Sequence, residues 1–130
     1  MEFNIRPGLS MEKSERVTND NTANKYASGG VEVYATPAMI GLMENAAYSC
    51  VQSGLPEGWS TVGTALDVKH LAATPVGLTV TARAEVAVVE GRRLLFKVEA
   101  FDNREKIGEG THERFIINLD KFLGRVKSKQ

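Results

Sequence analysis

The sequence predicts an α+β domain in which one long helix lies against an antiparallel sheet. Two observations predict it. Residues Thr36 to Val51 carry a helical repeat of apolar side chains, and nearly everything after Trp59 alternates apolar and polar residues with a period of two. Helix and strands are segregated along the chain rather than interleaved, which is the α+β order. A chain of 130 residues is most simply one domain with a core of moderate size. That domain spans residues 1–130, with 1–30 an irregular N-terminal segment able to act as a lid and 120–130 a basic tail.

In chain order, Phe3 to Ile5 can start a strand, which Pro7-Gly8 breaks, and Glu12 to Thr18 is polar with weak alternation. Asn19 to Gly30 is rich in Asn, Thr, Ser and Gly, the composition of a loop or mobile cover. Val31 to Tyr34 reads as a short strand. Thr36 then suits a helix N-cap and Pro37 the first helical position, where no amide hydrogen is needed. Met39, Leu42, Met43, Ala46, Ala47, Cys50 and Val51 form one broad apolar stripe, with Asn45, Ser49 and Gln52 opposite. The small residues on that stripe suit close packing on a sheet, and Gly54 and Pro56 end the helix.

In the next strand Val62, Thr64, Leu66, Val68 and His70 share one face, and Gly63, Ala65, Asp67 and Lys69 share the other. Leu78, Val80, Ala82, Ala84, Val86 and Val88 alternate in the strand after it. Glu90-Gly91-Arg92 is a hairpin turn, Leu94 to Ala100 alternates, and Asp102-Asn103 turns again. Ile107 to Leu119 is the last strand, with Gly108 and Gly110 early in it; Asp120 to Gln130 reads as one helical turn and then disorder. A helix of about 16 residues spans only ~24 Å at 1.5 Å per residue. The sheet is therefore expected to curl around it or to meet a second subunit.

Composition narrows the function. Sixteen basic residues balance sixteen acidic ones, so net charge offers no argument for nucleic acid or an anionic membrane. The single Cys50 cannot form an intrachain disulfide, and one Cys with two His lacks metal-site spacing, so no metal is expected. Met1 to Asn4 has no basic region and no apolar run, which predicts no signal peptide. No segment approaches the ~18 apolar residues of a membrane span. The expectation is a soluble cytoplasmic protein.

The candidate chemistry centres on the stretch from Thr61 to Pro75, where His70 takes an apolar-face position at a strand end beside a small-residue loop. His70 fits either a hydrogen-bonded core histidine or a proton shuttle at a pocket mouth. Glu44 sits at the edge of the helical stripe, either half-solvated or as a carboxylate in a semi-apolar pocket, where it is a stronger base than in water. Thr36 is a plain cap or part of a helix start that polarises a carbonyl oxygen. His112 and Arg114 share a strand face with Gly108 and Gly110, which permit close approach of a backbone or ligand. His112 reads as a surface residue; Arg114 either anchors a phosphate or pairs with an acid.

Taken together, Tyr34-Ala35-Thr36-Pro37, Gly41-Leu42-Met43-Glu44, Val62-Gly63-Thr64-Ala65, His70-Leu71-Ala72-Ala73-Thr74-Pro75 and Ile107 to Arg114 resemble the hotdog-fold acyl-CoA thioesterases, in particular the fluoroacetyl-CoA thioesterase-like branch. The resemblance runs from about Tyr34 to Phe122 with order and spacing intact. It implies a hotdog fold: a curled antiparallel sheet of about five strands around one long central helix, dimerised through a continuous sheet. It implies hydrolysis of a short-chain acyl-CoA to free acid and CoA, with no cofactor, CoA being part of the substrate. The family's catalytic threonine, glutamate and histidine fall on Thr36, Glu44 and His70. Its acyl-pocket glycine falls on Gly63 and its substrate-binding arginine on Arg114. The implied partners are the acyl-CoA and a second copy of the chain, with further assembly left open. The pocket is expected to be small, walled by Ala, Gly and Val near His70, with Asn19 to Gly30 closing over it. One departure bears on selectivity. The fluoroacetyl-specialised branch has aromatic lid residues before the threonine, whereas Ala27-Ser28-Gly29-Gly30-Val31 occupies that stretch here, with only Tyr26 nearby. Two rival activities are a hotdog enoyl-CoA hydratase and a non-catalytic acyl-CoA-binding dimer.

Overall fold

The structure, a computed structural model, describes residues 3–130. The reading of the first four residues as free of a targeting signal thus lies outside the described residues at Met1 and Glu2. Strands β1 (Ser10–Arg16), β2 (Trp59–His70), β3 (Thr79–Glu90), β4 (Arg93–Phe101) and β5 (Lys106–Asn118) form one sheet in the order β1-β3-β4-β5-β2. Every neighbouring pair is antiparallel. Helix α1 (Thr36–Gln52) lies on the inner face of the curled sheet, and α2 (Leu119–Lys127) closes the chain.

The apolar stripe of α1 is fully buried, Met39, Leu42, Met43, Ala46, Ala47, Cys50 and Val51 included. It packs on Val80, Ala82, Ala84 and Val86 of β3 and on Leu94, Phe96, Val98 and Ala100 of β4. Alanines on both layers let helix and sheet approach closely, and the larger Phe96, Met39 and Met43 fill the space between.

Five parts of the sequence reading are corrected. The first strand is Ser10–Arg16, not Phe3 to Ile5. β1 is an edge strand whose alternate residues are exposed, so polar side chains suffice and the apolar signal is weak. Val31 to Tyr34 makes only isolated pairs, Thr22 with Tyr34 and Val33 with Pro75. Ala35, not Thr36, caps α1, with extended backbone and no side-chain bond, so the Thr36 hydroxyl is free for another partner. A bulge between Val86 and Val88 reverses the alternation of β3, turning Val88 outward while Val89 packs on the core. The tail is a helix: the Asn118 side chain accepts from the Lys121 amide at 3.1 Å, and Arg125 and Lys127 oppose the dipole in the last turn.

β2 forms the free edge beside β5, and Gly63 to Asp67 is exposed along it. Among the described residues, no helix is long and apolar enough to cross a membrane.

Candidate active site

A single irregularity in β2 sets the geometry of the site. The ladder with β5 shifts register between Gly63 and Ala65. Strict alternation would put Gly63 and His70 on opposite faces. The extra residue, Thr64, reverses the phase, so Thr61 and Gly63 before it face inward, as do Val68 and His70 after it. Thr64 itself turns outward, where its hydroxyl donates to the Glu113 carboxylate at 2.8 Å.

At the start of α1, Thr36 Oγ1 lies 2.7 Å from His70 Nδ1. The opposite ring nitrogen, His70 Nε2, is the one buried side-chain nitrogen or oxygen among the described residues that lacks a hydrogen-bond partner. A buried polar atom left unpaired is costly and marks a place where a ligand or water completes the set. The pair borders a cavity of about 370 Å³ walled by Ala23, Val33, Tyr34, Leu71, Ala72 and Ala73. The alanines and Val33 are the small walls expected from the sequence, while Tyr34 and Leu71 are larger than that expectation. The segment from Asn19 to Gly30 contributes Ala23 and Ser28 to the lining and is held by its own turn bonds, including Ser28 N–H to the Ala23 carbonyl at 3.0 Å. The backbone N–H of Ala35 is anchored to the Asn21 carbonyl at 2.9 Å and that of Tyr34 to the Thr74 carbonyl at 2.8 Å, which fixes the helix start against the segment from Asn19 to Gly30 and the loop after β2.

Glu44 stands two turns further along α1, ~12 Å from Thr36 along the axis. Its neighbours are Gly63, His112 and Arg114. A Cβ placed on Gly63 would lie 3.1 Å from Glu44 Oε2, 3.1 Å from His112 Cε1 and 3.5 Å from Arg114 Nη1. The absence of a side chain at Gly63 is what admits the carboxylate. Arg114 is 7% exposed; its Nε donates to Thr61 Oγ1 at 2.8 Å, Nη2 to the Thr61 carbonyl at 3.0 Å, and Nη1 to His112 Nε2 at 3.1 Å. Tyr48 covers it from outside, with its ring 5.9 Å from the guanidinium carbon.

Of the residues singled out from sequence, Thr36 and His70 meet directly. Gly63, Glu44 and Arg114 form a second group, and within one chain the two groups are separate. Arg114 is committed inward to Thr61 and His112, and among the described residues it forms no ion pair with an acid. His112 corrects the surface reading: it is 1% exposed. The signal was present in β5, where Ile116 and Arg114 are in phase with it on the inward face. Gly110 also resolves: a Cβ there would lie 2.1 Å from the Asp67 carbonyl oxygen, so its close neighbour is the β2 backbone, not a ligand. Among the described residues no three His, Cys, Asp or Glu side chains converge as a metal site requires.

Burial pushes both imidazoles below the ordinary histidine value, offset in part by the backbone of Ala72 at His70 and of Ala65 at His112. At Ala72 the geometry falls short of a hydrogen bond. Each ring thus binds a proton less readily folded than unfolded. Stability is full above the unfolded value of ~6.5 and declines as pH falls below it. Glu99 and Glu109, held below the usual carboxylate range by Lys106, add to the loss only at lower pH. Tm is expected to drop between about pH 7 and about pH 5.5; a flat Tm across that interval contradicts the neutral state of the half-buried His70 and the buried His112.

Solved structures share this architecture. The crystal structure of the fluoroacetyl-CoA thioesterase FlK matches with a TM-score of 0.91 at 42% identity, covering 97% of this chain and 98% of that one. A thioesterase superfamily member from Thermus thermophilus matches with a TM-score of 0.87 at 30% identity, covering 96% and 95%. A variant of FlK with threonine replaced by serine has been solved in complex with acetyl-CoA. Fold and likeness together define a hotdog-fold thioester hydrolase. The chain belongs to the fluoroacetyl-CoA-specific thioesterase family, whose sequence model matches residues 17–120. The fluoroacetyl-CoA thioesterase of Streptantibioticus cattleyicolor is 51% identical over 98 residues, which is 75% of this chain and 70% of that protein.

Proposed function

We propose that this thioester hydrolase cleaves a short-chain acyl-CoA to the free acid and CoA, as a cytoplasmic homodimer, with Thr36, Glu44 and His70 as reacting groups and Gly63 and Arg114 at the acyl end of the site. The observation that carries the reading is the Thr36–His70 pair beside a small-walled cavity, with an unpartnered ring nitrogen. A thioester carbonyl is already electrophilic, so the enzyme has three tasks: polarise the oxygen, deliver the attacking oxygen and manage the proton. Backbone amides at the start of α1 or at Gly63 would hold the oxyanion. Glu44 would attack the carbonyl to give an anhydride or draw a proton from water. His70 would carry the proton to the departing thiolate, and Thr36 would fix its ring. A covalent acyl adduct on Glu44, sought by mass spectrometry of rapidly quenched enzyme, separates the two roles of the carboxylate. The free, buried Cys50 fits a reducing compartment.

A second copy supplies the missing proximity. β2 is an exposed edge, and antiparallel pairing with a copy of itself about a two-fold axis between Leu66 and Asp67 would put Gly63 of one protomer opposite the partner subunit's His70. Glu44 would then face the partner's His70, and each dimer would hold two shared sites. The test of the activity is release of free thiol from a panel of acyl-CoA esters of rising chain length, fluoroacetyl-CoA included. Release is expected to be fastest for the shortest chains. With no aromatic side chain between Ala27 and Val33, discrimination between fluoroacetyl-CoA and acetyl-CoA is expected to be weak. Thermal stabilisation by acyl-CoA without any thiol release would instead identify a binding protein.

A further inference from the structure

His112 is buried beneath the Glu44 group and plays no part in the reaction as drawn above. Its Nδ1 lies 2.9 Å from the Ala65 carbonyl oxygen and its Nε2 3.1 Å from Arg114 Nη1. A carbonyl only accepts and a guanidinium only donates. The two neighbours therefore dictate one tautomer: Nδ1–H donates to Ala65, and the Nε2 lone pair accepts from Arg114. Arg114 is pinned on its other side by the hydroxyl and carbonyl of Thr61. Three hydrogen bonds thus set the plane of the guanidinium, and its Nη1 and Glu44 Oε2 both border the space above Gly63, 3.5 Å and 3.1 Å from where a Cβ would stand.

We propose that neutral His112 is a positioning residue: it locks Arg114 in the orientation that presents its positive charge to the Glu44 carboxylate across Gly63, without a direct bond between the two. The inference rests on Glu44 being the reacting carboxylate. Its consequence is a proton-controlled latch. A proton added at Nε2 replaces the acceptor by a donor and sets one positive charge against another, so the Arg114 bond breaks. The charged and titratable groups facing His112 are Arg114 on β5 and Glu44 on α1, with Tyr48 of α1 lying on the far side of the guanidinium. From β4 the Phe96 ring stacks on it, at 6.2 Å, and from β2 come the uncharged Gly63, Ala65 and its cross-strand partner Leu66. Burial and Arg114 oppose protonation while Glu44 favours it.

The experiment compares His112→Gln, whose amide oxygen can still accept from Arg114, with His112→Leu, which cannot. The leucine variant is expected to lose ~10²-fold in kcat, the effect of a reacting group misplaced by about 1 Å, with KM little changed. The glutamine variant is expected to recover most of that loss, and its pH–rate profile is expected to lack one ionisation on the acid side. Nitrogen-15 spectra of the wild-type imidazoles at neutral pH are expected to show one ring with its proton on Nδ1. Equal activity in the two variants with an unchanged profile overturns the proposal, as does a proton on Nε2 of His112, a result that stands even if the leucine variant fails to fold. Absence of thiol release by the wild type would instead remove the functional reading, leaving the tautomer measurement to judge the hydrogen-bond arrangement by itself.

Discussion

Glu44→Ala and His70→Ala are each expected to lower turnover of a short acyl-CoA by ~10²–10⁴-fold, the usual contribution of a positioned acid or base, with the fold retained. Retention follows from the contacts. Glu44 is half-buried at the helix edge, and among the described residues its side chain enters no hydrogen bond or ion pair while the His70 side chain bonds only to Thr36. Neither side chain belongs to the apolar cluster under α1. The two inactive variants also test where the site lies. If Glu44 of one protomer works with the partner subunit's His70, a mixed dimer contains one site with both groups and one with neither. Random assortment of equal amounts, after unfolding and refolding together, should restore about a quarter of wild-type activity. A site confined to one chain predicts no recovery, because each protomer carries one lesion. Near-normal turnover in both single variants would remove these residues from the chemistry altogether.

The sequence made the helix and the order of the strands legible, because burial there is periodic. The stripe from Met39 to Val51 and the alternation from Leu94 to Ala100 depend on one face being buried throughout, and nothing interrupts them. The site was legible only as a set of residues. Its geometry depends on the bulge at Thr64, which leaves no mark in composition: Val62-Gly63-Thr64-Ala65-Leu66 reads as well in one phase as in two. Thr36 looked like a cap because threonine before proline commonly is one, yet Ala35 holds that position and the hydroxyl meets an imidazole from a strand 34 residues away. His112 looked like a surface residue because it stands in the polar run Thr111-His112-Glu113-Arg114, where its phase with Ile116 is the one sign of burial and gives no hint of its partners. Those partners, the Ala65 carbonyl and Arg114, exist only once β2 and β5 pair. Local pattern therefore fixes which faces are apolar, while long-range pairing decides which polar groups become neighbours.

Gly63→Val is expected to separate activity from folding more sharply than any other single change. A first methyl carbon at this position would already stand 3.1 Å from both Glu44 Oε2 and His112 Cε1, tighter than ordinary van der Waals contact. Valine adds two branches beyond it. His112 cannot retreat, being buried and held at both ring nitrogens, and Arg114 is pinned to Thr61. Glu44 is the partner that can move, since it is half-exposed and its side chain is flexible. The strain therefore resolves by expelling the carboxylate. A displacement of about 1 Å costs ~10²-fold in rate, whereas overpacking relieved by one mobile side chain costs the fold at most ~1–3 kcal/mol. Part of that cost is offset, because a β-branched residue suits a strand better than glycine does. Gly63→Ala should fall between wild type and valine in rate while leaving Tm nearly unchanged. Measured together, kcat and Tm across the three side chains should show activity falling with side-chain volume while stability changes little. Wild-type turnover in Gly63→Val would mean that the carboxylate is not needed where it stands, and the assignment of Glu44 would have to be abandoned.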